Sequence, residues 1–239
     1  MGGERRLPMF PLSTVLFPGA ELPLHVFEPR YRALVADCLA GDGDFGVVLI
    51  ARGSEVGGGD ERFGVGTLAH LEVARPFDDG RYAVLAQGRH RIAVTRWVTD
   101  EPYPTAEVEP CPDGAVGDDE PGFGRATAAV RRARVLLSEL GASAAVPADL
   151  AGAPTEAGSH PAGTPPQAAA RLWRLCDLAP LTPLDRQRLL ETDDGPARLA
   201  LLAELCEARA DDLARLLRTA GPGTPLSGAP STAGGRRSV

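Results

Sequence analysis

Apolar and polar residues alternate through the first 110 positions, and a helical period replaces that pattern afterwards. Leu7 to Leu12 opens as a strand. Phe45 to Ile50 is a continuously apolar run with β-branched residues, which predicts a strand buried on both faces. From Val65 the positions Val65, Thr67, Ala69, Leu71 and Val73 alternate with Gly66, Leu68, His70 and Glu72, the pattern of a half-buried strand. Asp78-Asp79-Gly80 supplies turn residues, and Tyr82, Val84 and Ala86 share a face on the return, so a hairpin is predicted. A separate strand is expected from Arg91 to Thr99, and a last one follows Pro102-Tyr103-Pro104 through Val108. Pro29 to Ala40 is the exception. There Tyr31, Leu34, Val35, Cys38 and Leu39 recur at helical spacing, and Pro29 fits a first turn.

In the second half, Ala126, Ala129, Val130, Ala133, Leu137 and Leu140 form one helical stripe that Gly141 ends, with Arg131, Arg132 and Arg134 off the stripe and facing water. Ala142 to Gln167 is Ala, Gly, Pro, Ser and Thr with almost no large apolar side chain, so it predicts a flexible insert. A helix begins at Ala168 and runs to Cys176. Thr182-Pro183-Leu184-Asp185 opens another, with an N-cap, a first-turn Pro and an acid at N3. The last helix follows Pro196, with Leu199, Leu202, Cys206, Ala210, Leu213 and Leu217 on one face. The chain therefore divides into a β-rich part (1–110), an acidic linker (111–121), a helical part (122–219) with its insert (142–167), and a disordered Gly/Pro/Ser tail (220–239). The fold class is α+β.

Composition narrows the chemistry. The 239 residues contain no Lys and no Asn, so all 25 basic residues are Arg, against 32 acids and a net charge of -7. Mechanisms that need an ε-amine, such as a phosphate-loop Lys or a Ser-Lys pair, are excluded. No segment is basic, which argues against a nucleic-acid partner. No long apolar run is present, and Cys38, Cys111, Cys176 and Cys206 have no paired spacing. We expect a cytoplasmic protein with reduced thiols, no membrane partner, no metal and no cofactor. Ser13 and Ser54 sit in no nucleophile elbow, and Gly57-Gly58-Gly59 is ringed by acids, so no catalytic residue is assigned. His70 and Glu72 share a strand face but offer two ligands only. In the basic cluster Arg89-His90-Arg91, a structural ion pair between Glu28 and Arg91 is expected.

The stretch Pro11-Leu-Ser-Thr-Val-Leu-Phe-Pro-Gly-Ala-Glu-Leu-Pro-Leu-His-Val-Phe-Glu-Pro-Arg-Tyr31 closely resembles the opening of the N-terminal substrate-binding domain of the Lon proteases. That family's P-L-x-x-x-x-F-P-G-x-x-L-P-L-x-x-F-E-x-R-Y motif matches at every specified position. Gly64-Val-Gly66-Thr-Leu-Ala, Gly80-Arg-Tyr through Gly88-Arg-His-Arg91-Ile, and Leu184-Asp-Arg-Gln-Arg-Leu-Leu-Glu191 through Leu199 resemble further family segments. The Pro102 strand departs from the family's P-Y-x-A-x-V by reading P-Y-P-T-A-E-V. The resemblance implies a PUA-like pseudobarrel of about six strands with one internal helix, followed by a small helical bundle. It also implies the stand-alone form of the domain, without the ATPase and protease modules.

The function so implied is non-catalytic binding of unfolded or apolar polypeptide segments, as an adaptor or client-holding protein, with a protease acting in trans as a further partner. Recognition would use a sheet edge that accepts another strand or a groove between strands and helices. Leu16, Phe17, Leu22 and Phe27, around the Phe17-Pro18-Gly19 turn, are the expected peptide-binding residues; the competing reading places each in the core. Two other classes stand against this one: a small-molecule-binding or enzymatic PUA-like barrel, and a scaffold that forms homo-oligomers through a helix face. An unused apolar stripe on the last helix would favour the scaffold.

Overall fold

The computed structural model describes residues 5–52, 61–142 and 167–220. The predicted flexible insert, apart from Ala142 and Gln167, the predicted tail beyond Ala220 and the Gly57-Gly58-Gly59 loop lie outside the described residues. Among the described residues, six strands and five helices follow in the order β1 (Arg5–Leu12), β2 (Glu21–Val26), α1 (Pro29–Ala40), β3 (Asp44–Arg52), β4 (Glu61–Pro76), β5 (Tyr82–Thr99), β6 (Thr105–Pro110), α2 (Gly122–Glu139), α3 (Gln167–Leu178), α4 (Pro183–Glu191) and α5 (Gly195–Ala220). The α+β class and the internal helix are as the sequence predicts.

The strands form one sheet in the order β2-β5-β4-β3-β1-β6, with β1 and β3 parallel and the remaining pairs antiparallel. The sheet curls until β6 also pairs with β5, along Ile92–Thr99. β2 occupies the other half of the same β5 edge, along Tyr82–Gln87. The result is a pseudobarrel and not a closed cylinder.

Three strands differ from the sequence pattern. The expected strands at 82–87 and 91–99 are one strand, β5, continuous through Gly88. Leu68 faces His90 and Ala69 faces Gly88, so Arg89 is the extra residue of a bulge. A second bulge leaves Glu72 unpaired on β4, and the two bulge residues meet, Arg89 Nη2 donating to Glu72 Oε1 at 2.7 Å. Gly88 also hydrogen-bonds the turn before β2: its N–H reaches Ala20 O, and its carbonyl accepts from Gly19 N–H. The sixth strand is β2, where Pro23 interrupts the sequence signal. Pro is compatible with an edge strand, and β2 pairs with β5 alone. β4 is longer than predicted and buried on both faces from Gly66 to Ala69, because the curled sheet covers one side and other elements cover the second.

Three apolar clusters follow from this geometry. Leu7, Met9, Val48, Leu68, Ile92, Ala106 and Val108 come from the five strands of the ring and fill its interior. Met9 is so close to Gly46 that a Cβ there would lie 2.4 Å from its sulfur. Phe10, Leu22, Val26, Tyr31, Leu34, Val35, Phe45 and Ala86 form a second cluster, in which α1 covers one outer face of the sheet. The third joins Val15, Phe17 and Leu49 to all four later helices, so the strands and the helical part share a core.

The helix signals hold. Thr182 Oγ1 accepts from Asp185 N–H, Asp194 Oδ2 accepts from Ala197 N–H, and Gly141 adopts φ 83° after α2. Gly141 N–H and Ala142 N–H bond Ser138 O and Leu137 O, the Schellman pattern. Arg125 pairs with Glu207 and Arg132 with Asp211, so α2 and α5 run parallel. Arg134 does not face water freely: it is half-buried and donates to Leu178 O at 2.7 Å.

Candidate functional site

Three of the four expected peptide-binding residues are core. Leu16, Phe17 and Leu22 are 4%, 0% and 8% exposed, whereas Phe27 is 56% exposed. The reason lies in the helices, which the strand pattern does not reveal. Phe17 stacks on Trp173 of α3 with ring centroids 5.5 Å apart, and the Arg186 guanidinium covers it at 4.5 Å. Leu16 O accepts from the buried Thr67 hydroxyl at 2.6 Å. The Phe17 and Leu16 side chains are therefore part of the joint between strands and helices.

The expected Glu28–Arg91 pair does not form. Glu28 accepts from Arg30 Nε at 3.1 Å, while Arg91 is fully buried and points into the joint. Its Nε donates to Asp113 Oδ1 at 2.7 Å, Nη1 to Leu190 O and Asp193 Oδ1, and Nη2 to Pro112 O. Arg198 of α5, 1% exposed, donates to the same Asp113 oxygen at 3.1 Å and lies 4.0 Å over the Trp173 ring. Trp173 Nε1 donates to Asp113 Oδ2 at 3.0 Å. Burial pulls the Arg198 guanidinium below its ordinary value and Asp113 opposes that shift. Two buried cations and an indole thus converge on one carboxylate, a paired arrangement that burial of charge requires.

Phe27 leads to a different place. The chain leaves β2 at Val26 and enters α1 at Pro29, and beside that crossing the β4–β5 turn brings up Phe77 and Arg81. Together His25, Val26, Phe27, Phe77, Arg81 and Tyr82 line a groove of about 340 Å³. Phe77 is 46% exposed, so two phenylalanines stand open to water on one groove. The turn is held by Phe77 N–H to Arg81 O and Gly80 N–H to Phe77 O, with Gly80 at φ 79°. Arg81 lies 5.7 Å from the Phe77 ring centre and donates from Nε to Asp79 Oδ2 at 2.7 Å. Its own backbone N–H and this side-chain bond hold the exposed Asp79 carboxyl below its usual value.

Sequence reasoning missed Phe77, Arg81 and Tyr82 as site residues. The signal present was an aromatic placed inside the turn sequence Phe77-Asp78-Asp79-Gly80-Arg81, where solvation is normal and an apolar ring is not. His70 and Glu72 do not converge: His70 Nδ1 lies 2.8 Å from Asp44 Oδ1, and Glu72 binds Arg89. Among the described residues no group of three metal-ligating side chains occurs, and no helix is long and apolar enough to cross a membrane.

Comparison with known proteins agrees with this architecture. The family model described as the ATP-dependent protease La (LON) substrate-binding domain matches residues 6–208. A Lon protease of Anaeromyxobacter dehalogenans is 29% identical over 209 residues, which cover 87% of this chain and 24% of that protein. Lon protease 2 of Herpetosiphon aurantiacus is 34% identical over 106 residues, 43% of this chain and 13% of its own. The chain thus spans about a quarter or less of these relatives. Among solved structures, a Lon N-terminal domain protein from Xanthomonas campestris aligns with TM-score 0.55 and 30% identity, covering 84% of this chain and 98% of that one. The N-terminal domain of the Mycobacterium avium complex Lon protease aligns at TM-score 0.57 with 16% identity and the same coverage, a likeness of fold. With the family model spanning strands and helices alike, the chain belongs to the Lon substrate-binding domain family.

Proposed function

We propose that this chain is a non-catalytic module that holds apolar segments of unfolded proteins in the groove between Phe27 and Phe77, as an adaptor or client-holding protein acting with a protease in trans. The observation that carries this reading is the pair of exposed phenylalanines on one groove, in a protein whose Phe10, Phe17, Phe45 and Phe123 are buried. Of the two recognition modes, the groove is favoured over strand addition. β2 offers a free edge, but Pro23 in the middle of it lacks an N–H and blunts the edge against a further strand.

The competing classes lose support on physical grounds. The ring interior is packed with the side chains of its own five strands, which leaves a small molecule no room there. On α5, Leu216 is the one large apolar side chain exposed among the described residues, so the helix carries no unused stripe for self-association. Burial pushes the thiols of Cys38, Cys176 and Cys206 up to about 12, far from nucleophilic use.

A reduced and alkylated, permanently unfolded protein is the probe. Fluorescence anisotropy should show binding by the parent chain and binding about 10- to 100-fold weaker by a Phe27→Ser/Phe77→Ser variant, since each half-exposed ring contributes about 0.7–1.4 kcal/mol when covered. Equal binding by both proteins, or none by the parent, rejects the groove. Hydrolysis of ATP or casein by the purified chain rejects the non-catalytic part.

A further inference from the structure

The chain as a whole is acidic, with 32 acids against 25 arginines, yet the groove has the opposite character. Its six lining residues include Arg81 and His25 and no carboxylate. Of the nearby acids, Asp79 is held by Arg81 Nε and Glu28 by Arg30, while Asp78 is an exposed carboxylate of the same turn. Arg81 uses Nε and its backbone N–H on Asp79, and its two terminal nitrogens make no hydrogen bond among the described residues. One row along the same sheet face, Arg75 of β4 aligns through Ala83 with His25, and Arg75 makes no ion pair among the described residues.

Resting on the polypeptide-binding reading above, we infer that the groove selects segments in which a carboxylate adjoins the apolar anchor. The anchor side chain lies between Phe27 and Phe77, and the carboxylate accepts from the free Nη groups of Arg81, with Arg75 adding charge. An Arg stacked beside a ring and carrying unused planar donors is suited to that anion, because an Arg–carboxylate bond is charge-assisted and directional. A basic segment with the same anchor meets like charge and is disfavoured. The carboxylate has two sources, an Asp or Glu side chain or the chain terminus, and the recognition chemistry is shared.

The test uses short fluorescein-labelled peptides with one apolar core, flanked by Asp, Gln or Lys and amidated at the C-terminus, plus the Gln peptide with a free C-terminal acid. Titrated against the full chain by anisotropy, the Asp peptide should bind about tenfold more tightly than the Lys peptide, with the gap closing as salt rises. Arg81→Gln should erase that gap, whereas Phe27→Ser/Phe77→Ser should weaken the Asp, Gln and Lys peptides alike. A gain for the free acid as well as for Asp assigns both sources; a gain for one assigns that one. Equal affinity for Asp and Lys peptides, with both still dependent on Phe27 and Phe77, overturns the charge selection and leaves the groove standing. Failure of every peptide to bind removes both the groove and its selectivity.

Discussion

Asp113 accepts from Arg91, Arg198 and Trp173, and all three donors are among the largest fully buried side chains of the described residues. Asp113→Ala leaves two buried guanidiniums without their shared carboxylate, and we expect a loss of about 3–5 kcal/mol in urea unfolding. Asp42→Ala, which removes one of the two carboxylates paired with the exposed Arg5, should cost under about 1 kcal/mol in the same measurement. A loss of the same small size at Asp113 would show that the joint does not depend on that convergence. None of this was legible in the sequence. Asp113 stands in what reads as an acidic linker, and Arg91 has no local partner, so proximity along the chain could not single out a carboxylate 22 positions away or a helix near residue 190. Phe27 and Phe17 show the same limit from the other side: both lie in one family motif, and their opposite exposure is set by whether Trp173 reaches them.

Among the elements, β5 makes the sharpest test. A Cβ at Gly88 would lie 2.4 Å from Phe17 O, a backbone atom that cannot step aside, so Gly88→Ala should lower the melting temperature and loosen the turn before β2. Gly64→Ala, in open space on β4, should leave it unchanged or raise it slightly. Equal effects at the two glycines would contradict the close approach. Between α2 and α5, Arg125 holds the Glu207 carboxyl below its usual value. The stabilisation is therefore complete above the ordinary carboxylate range and is lost as pH falls through the lowered value. Glu207→Gln should therefore lower the melting temperature slightly near neutrality and leave it unchanged at low pH, so that the acid-side decline becomes shallower. Helix boundaries were the most legible elements because caps are local chemistry, as Thr182, Asp194 and Gly141 show. β2 was hidden because Pro23 erases the local signal that its partner restores, and the continuity of β5 was hidden because a bulge and a chain break look alike at Gly88.

At the scale of the molecule, the α+β class and the family were legible from periodicity and motif, whereas the sharing of one core between strands and helices was not, since it is made by contacts between distant segments. That sharing has a measurable result. Cys38 stands on the buried face of α1, and Cys176 and Cys206 lie among the later helices, all buried. If the core is cooperative, a thiol reagent should label these three at one common rate set by whole-molecule opening, while the partly exposed Cys111 reacts separately. Distinct rates for Cys38 and the helical pair would mean that the two parts open apart. The pairing of β6 with both β1 and β5 bears on how the protein is made. β1 leaves the ribosome before β6, its second neighbour about 100 residues behind, a delay of roughly 5–20 seconds at typical elongation rates of about 5–20 residues per second. Throughout that interval the newborn chain carries an open seam, and its own synthesis passes through the kind of unfinished state that quality control exists to intercept.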